Sequence, residues 1–386
     1  LWKKLELIPD YRIVRQILQT LRNAGYQAND REKLTLNNLL DEQIGKCFWN
    51  LKARDELPKG TEFEALQLAL GEEIKDNQDQ IYLLLALIYD PQSVQLVREN
   101  IDSETSEGIA FGMELLDMFL SQDLKAKLIP LLDDEPLEDK FKLLQVIYPR
   151  DAYGPVEVVS KILKRNNNLC NRWTKACALY AVQHLPDYEV REGILAHLFN
   201  PDRLIRETAA WVVYNKDPQK YEFASLRLPE LERVSLRELI RKLRYTRADY
   251  ADFLLRVEVA RFLATLPLFA TVRGTVLCDL VDKCRKVEVR QDERLPLQGG
   301  FSSSIYLVAR GHGKLLTADQ TQDLGPTDVF GPLLSAEKTF QPLWVEASSD
   351  CLLLEVAEND FCDILSDNLD LAKHLIQLKA GEIAKT

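Results

Sequence analysis

Near Thr265 the spacing of apolar residues switches from a helical period to a strand period, so one class of secondary structure cannot hold the whole chain. From about Leu34 to Thr265, apolar residues recur every three or four positions. Ile109, Met113, Leu116 and Leu120 make one such stripe, and Leu137, Phe141, Leu144 and Ile147 another. Asp90-Pro91 and Asn200-Pro201 each predict a helix start, with a capping side chain ahead of a proline at the first helical position. After Thr265, short alternating segments follow at Lys286–Arg290, Ser304–Ala309, Lys314–Thr317, Leu343–Ala347 and Leu352–Val356, punctuated by glycines. Helical patterns at Glu358–Leu365 and Leu369–Glu382 close the chain. The reading is an α-helical array of stacked helix pairs over 1–265, free of sheet, and a β-rich domain over 266–386. The 386 residues suffice for two folded units.

Charge and cysteine usage narrow the function classes. Forty-nine Lys and Arg stand against 60 Asp and Glu, a formal charge of −11, which argues against a general nucleic-acid binder. No apolar run approaches the roughly 18 residues of a membrane span; Ile81–Ile88 reads as one buried helix face. Seven cysteines and four histidines show no metal-ligand spacing, so neither metal nor cofactor is expected and the thiols read as buried in a reducing cytoplasm. The opening Leu-Trp-Lys-Lys lacks an initiator Met and reads as part of a longer protein.

Catalytic motifs are missing: there is no GxGxxG, GxxxxGK[ST], GxSxG or HExxH. The carboxylate pairs Asp133-Asp134 and Glu72-Glu73 read as solvated surface charge, and the histidines His184, His197, His312 and His374 as structural. The expectation is a non-enzymatic chain. One basic stretch stands out, with Arg233, Arg237 and Arg241 at i, i+4 and i+8 and Arg244 beyond them. It could meet anionic lipid headgroups or an acidic partner, or pair with carboxylates of its own chain.

Two helical segments share a pattern of small mid-helix residues, Ala176-Cys177 and, 33 residues later, Ala209-Ala210. The stretch from Asn200 to Trp211, with Asp202, Arg206 and the alanine pair, resembles a HEAT repeat. That resemblance implies an α-solenoid, with Arg206 in a polar ladder between repeats. Asp79–Pro91, Gly112–Asp117 and Leu124–Asp134 resemble the HEAT-like region behind the membrane part of bacterial ATP/ADP-translocase-like transporters. This implies a module tethered at the cytoplasmic face through a segment upstream of Leu1, with the attached transporter domain or another protein as partner.

The last third resembles a cyclic-nucleotide-binding domain. Leu266-Pro-Leu-Phe269 is similar to the family's opening motif, Leu297-Gln-Gly-Gly300 to its strand turn, and Ile305–Gly311 to its central strand. Asp328-Val-Phe-Gly331 is similar to the entry of its phosphate-binding cassette. The resemblance implies a β-roll with flanking helices and a ligand pocket at Phe330, Gly331, Pro332, Leu333, Leu334, Gln341 and Pro342. In the family a Glu follows the Phe-Gly pair to bind the ribose hydroxyl, and an Arg about ten residues after the Gly pairs with the cyclic phosphate. Pro332 and Gln341 stand at those positions, so cyclic nucleotide is not an expected ligand. The reading is a regulatory or interaction module with a degenerate β-roll. A working nucleotide sensor and a freestanding HEAT scaffold are the competing readings.

Overall fold

A computed structural model of the protein describes residues 2–5, 11–166, 169–245, 255–270, 272–297, 304–316, 321–331, 344–368, 371–373 and 375–376. The chain divides into two compact units, Leu1–Glu189 and Val190–Thr386. Among the described residues no strand precedes Arg285 and no helix is long and apolar enough to cross a membrane. The switch from helix to strand therefore lies inside the second unit.

The first unit is helical: α1 (Trp2–Leu5), α2 (Tyr11–Asn23), α3 (Asp30–Asp55), α4 (Thr61–Ile88), α5 (Pro91–Ile101), α6 (Ser106–Phe119), α7 (Gln122–Leu132), α8 (Leu137–Ile147), α9 (Pro155–Lys164) and α10 (Arg172–Ala181). Polar residues at the ends start several of these helices. The Asn29 side chain accepts from the amides of Arg31 and Glu32, both at 3.1 Å, while Glu32 accepts from the Asn29 amide at 3.0 Å. Asp90 caps α5 through the Ser93 amide at 2.7 Å, with Pro91 in the first turn, as its sequence predicts. Consecutive helices pack together as α3–α4, α5–α6, α7–α8 and α9–α10.

Helix α4 also packs against α2, α5 and α10. With neighbours on several sides, all eight residues from Ile81 to Ile88 are buried. The expected single buried face is thus corrected: the run is enclosed all round, which is why it carries no polar stripe. Between α3 and α4 a chain of buried amides runs from Asn50 to Asn77 to Gln43, each link 3.1 Å.

The second unit begins with the short α11 (Glu192–Leu195), then α12 (Arg203–Lys216), α13 (Pro218–Ser225), α14 (Glu230–Tyr245), α15 (Arg256–Thr265) and α16 (Gly274–Lys283). The expected cap at Asn200-Pro201 shifts: Asp202 caps α12 through the Leu204 amide at 2.9 Å, and Asn200 instead accepts from the Asp202 amide at 2.9 Å. Ala176 and Cys177 on α10, and Ala209 and Ala210 on α12, are all buried, so the repeated small residues serve close packing in each unit.

Eight strands follow: β1 (Arg285–Val289), β2 (Arg294–Pro296), β3 (Ser304–Arg310), β4 (Gly313–Leu316), β5 (Thr321–Leu324), β6 (Val329–Phe330), β7 (Trp344–Ala347) and β8 (Cys351–Ala357), then α17 (Glu358–Asp367). They form two antiparallel sheets ordered β1-β8-β3-β6 and β2-β7-β4-β5, the order of an eight-stranded jelly roll. Val289, Tyr306, Val308, Phe330, Val345 and Leu353 belong to the roll's core. Helix α17 packs on β3 and β8, and α16 on β8. Strand β3 is consequently buried from Ser304 through Ala309 on both faces, not on alternate residues as its sequence pattern predicts.

Two turns of the roll require glycine. Gly311 has φ +85°, and a Cβ there would collide with the Asp350 carbonyl and sit 2.8 Å from the Cys351 Cα. Gly331 has φ +143°, and its Cβ would lie 2.5 Å from the Ser304 carbonyl oxygen.

Candidate functional site

Of the expected cassette, Phe330 and Gly331 lie within the described residues, while Pro332, Leu333, Leu334, Gln341 and Pro342 lie outside them, as do Gln298–Gly300 and His374. The Phe330 ring is buried and stacks on Tyr306, centroids 5.4 Å apart and planes 14° from parallel. The close approach of Gly331 to Ser304 holds the end of β6 against β3.

At the same end of the roll sits a polar cluster that the sequence reading did not single out. Glu355 on β8 accepts from Ser304 Oγ at 3.1 Å and from the Tyr306 hydroxyl at 3.2 Å. Its other oxygen binds Arg285 through Nε at 2.7 Å and Nη2 at 2.5 Å. The antiparallel register sets Arg285 and Tyr306 on either side of Glu355. Burial, then the Glu355 carboxylate, pushes the Tyr306 hydroxyl above its ordinary pKa, so it acts as a donor. Arg285 is largely exposed, but its fork is taken by Glu355. The cluster closes on itself and offers no open guanidinium. The one available signal was the single charge of Glu355 in the otherwise apolar β8.

The basic face lies on α14. Arg237 and Arg241 are each 62% exposed, meeting Glu222 at 4.0 Å and Glu238 at 3.7 Å. Arg244 lies over the Tyr214 ring at 5.6 Å, and Arg233 is half-buried. Part of the stretch is thus engaged within its own unit. The sequence reading missed the apolar component: Leu231, Val234 and, on α13 and just after it, Phe223 and Leu226 are exposed. Arg206, expected in a polar ladder, donates to the Asn200 carbonyl at 2.8 Å and pairs with Glu232 of α14 at 3.5 Å.

Candidate catalytic groups are used structurally. Burial pushes the thiols of Cys47, Cys170 and Cys284 up to about 12, far from thiolate chemistry at neutral pH. Asp133 accepts from the Asp134 amide at 2.7 Å in a turn. His312 holds the β3–β4 turn through its main chain: its amide donates to Ser349 Oγ at 2.9 Å, and its carbonyl accepts from the Ser348 amide at 2.8 Å. His184 and His197 lie on 3₁₀ turns. Among the described residues no three His, Cys, Asp or Glu side chains come together as a metal site.

The expected solvation of Glu72-Glu73 fails at Glu73. It accepts from the Asn171 amide at 2.7 Å and from Thr174 Oγ1 at 3.0 Å, and burial raises its pKa above the carboxylate norm. Glu73 is therefore a tie from α4 to the start of α10 rather than a surface charge.

No protein-family model matches the chain, and no curated protein matches it. Solved structures overlap it in part. The sensor domain of the transcriptional regulator DNR from Pseudomonas aeruginosa is 19% identical, with TM-score 0.28, over 32% of this chain and 88% of that one. The C-linker/CNBHD of zELK channels, crystallized in the presence of cAMP, is 19% identical, with TM-score 0.26, over 44% of this chain and 93% of that one. The Catabolite Activator Protein of Thermus thermophilus is 23% identical, with TM-score 0.27, over 31% of this chain and 59% of that one.

Proposed function

We propose that this chain is a non-catalytic regulatory and interaction module, in which HEAT-like helices over 1–265 support a cyclic-nucleotide-binding-like β-roll over 266–386 that has lost its second messenger. The observation that carries the reading is the jelly-roll strand order, with Phe330-Gly331 at the end of β6 against β3 and helices on β3 and β8. Jelly rolls serve many functions, so the ligand question falls to particular residues. Pro332 offers no side-chain acceptor for a ribose hydroxyl, and Gln341 no charge for a cyclic phosphate. The transporter-like segments between Asp79 and Asp134 support placing the module at the cytoplasmic face, tethered to a membrane protein through residues upstream of Leu1. The exposed apolar and basic face of α13 and α14 supports docking to a protein partner or an anionic membrane surface.

Charge-assisted hydrogen bonds are worth roughly 1.5–3 kcal/mol each. Lacking one at Gln341 and another at Pro332 costs about 3–6 kcal/mol, or roughly 10²- to 10⁴-fold in affinity. Calorimetric titration with cyclic AMP and cyclic GMP is expected to show no saturable binding below about millimolar concentration. The double variant Pro332→Glu, Gln341→Arg is expected to gain binding. A micromolar dissociation constant for the unmodified chain would overturn the degenerate pocket in favour of a working sensor.

A further inference from the structure

The first unit contains a groove of about 700 Å³, within the size range of small-molecule sites. One wall is α3, which contributes Lys33, Asn37 and Asp41 at i, i+4 and i+8. The end of α4 and the start of α7 form the others and bring Asp123 and Lys127.

Three features of this groove point to a ligand. First, the Asn37 side-chain oxygen is buried and has no hydrogen-bond partner, which is costly unless something donates to it. Second, the charges are separated along α3. Lys127 binds Asp41 at 2.8 Å and Asp123 at 2.9 Å, so that end carries two carboxylates against one ammonium. The Tyr148 hydroxyl donates to the same Asp41 oxygen as Lys127, at 2.9 Å, leaving the second oxygen of Asp41 uncommitted. Burial works against the Asp41 charge, but the hydrogen bonds from Lys127 and Tyr148 outweigh it and hold the carboxyl below its ordinary pKa. At the opposite end Lys33 pairs only with Asp30, which is fully exposed, and such pairs are weak and easily exchanged. Third, the groove is neutral overall, with two lysines and two aspartates, so a simple anion or a simple cation gains little.

The spacing of Lys33 and Asp41 along the α3 backbone gives the scale of the ligand. Eight residues of α-helix rise about 12 Å. Two extended residues span about 7 Å, and two terminal hydrogen bonds of about 2.8 Å complete that distance. We propose that the groove between α3, the end of α4 and the start of α7 binds a short peptide with free termini. Its carboxylate lies at Lys33, its peptide N–H donates to the Asn37 oxygen once that amide rotates into the groove, and its ammonium lies at Asp41 and Asp123. This site is independent of the β-roll reading, and either can fail without the other.

The test titrates the full chain calorimetrically with alanyl-leucine and follows its melting temperature. Saturable binding and a rising melting temperature are expected. N-acetylation or C-amidation of the peptide is expected to weaken binding about tenfold or more. Free leucine, too short to reach both ends, is expected to bind no better than the blocked peptides. Lys33→Gln lies on the surface and is expected to weaken the dipeptide while leaving its C-amide unaffected. Asn37→Leu removes the unpaired acceptor, so the free protein should melt no lower while peptide binding is lost. The proposal is overturned by absence of saturable binding up to roughly 10 mM, or by equal binding of free and blocked peptides.

Discussion

Glu73 shows how far a residue's neighbours can move its chemistry. Adjacent carboxylates in a polar helical segment read as solvated, yet Glu73 lies under the start of α10, where its Oε1 takes two donors. Desolvation is the largest cause of its raised pKa, ahead of the two hydrogen bonds that oppose it. Unfolded, the group titrates near 4.5; folded, it titrates higher. Between those values the native chain holds a proton that the unfolded chain releases. The stability this contributes is full below 4.5 and is lost as pH rises through the folded value. Glu73→Gln keeps an acceptor for both donors and carries no charge. It is expected to abolish that fall and to be at least as stable as the parent at neutral pH. Urea unfolding from about pH 4 to 8 checks this, and an unchanged slope in the variant would remove Glu73 as its source.

At the scale of an element, one expected helix start held, at Asp90, and the other moved from Asn200 to Asp202. Asn29 with Glu32 three residues later is a capping pair, and the structure closes both of its bonds; Glu32 also accepts from the Tyr26 hydroxyl at 2.7 Å. Asn29→Ala leaves α3 without its side-chain cap and is expected to cost about 1 kcal/mol, read as a lower urea midpoint with unchanged m-value. A loss below about 0.3 kcal/mol would mean that tertiary packing alone fixes the start of α3. Faces were less legible because their partners come from elsewhere in the chain. Ile81–Ile88 lies in one core cluster with residues of α2, α3, α5, α6 and α7, and β3 has roll core on one side and α17 on the other. Neither run shows the alternation or stripe of a half-exposed element. The exposed apolar residues of α13 and α14 are the converse: a stripe whose second side stays open to solvent.

Across the whole molecule, compactness and periodicity divide the chain at different places. The period changes at Thr265, whereas the compact units divide between Glu189 and Val190. Contacts within the second unit account for this. Val257, Val259, Ala260 and Leu263 of α15 are buried, and α15 packs on α16. Arg256 donates to the Val281 carbonyl at 3.0 Å and meets buried Glu207 of α12 at 3.5 Å. A fragment spanning 190–386 is therefore expected to unfold cooperatively. One beginning at 266 forfeits burial worth on the order of 5 kcal/mol and should melt lower or lose cooperativity. Circular-dichroism melts of the two fragments decide it. Equal melting temperatures would show that α12–α15 contribute nothing to the roll.

Local pattern carried the order of helices and strands, the cap at Asp90, and the glycine turns at Gly311 and Gly331. Each of these depends on a few neighbouring residues and on backbone sterics. The register that sets Arg285, Ser304 and Tyr306 around Glu355 depends on strands up to 70 residues apart in sequence. So does the groove at Lys33, Asn37 and Asp41, whose far wall arrives with α7 about 90 residues later. A side chain's own segment sets which way it faces along a helix or strand. What it faces, and therefore its charge state and its use, is settled only when distant segments pack against it.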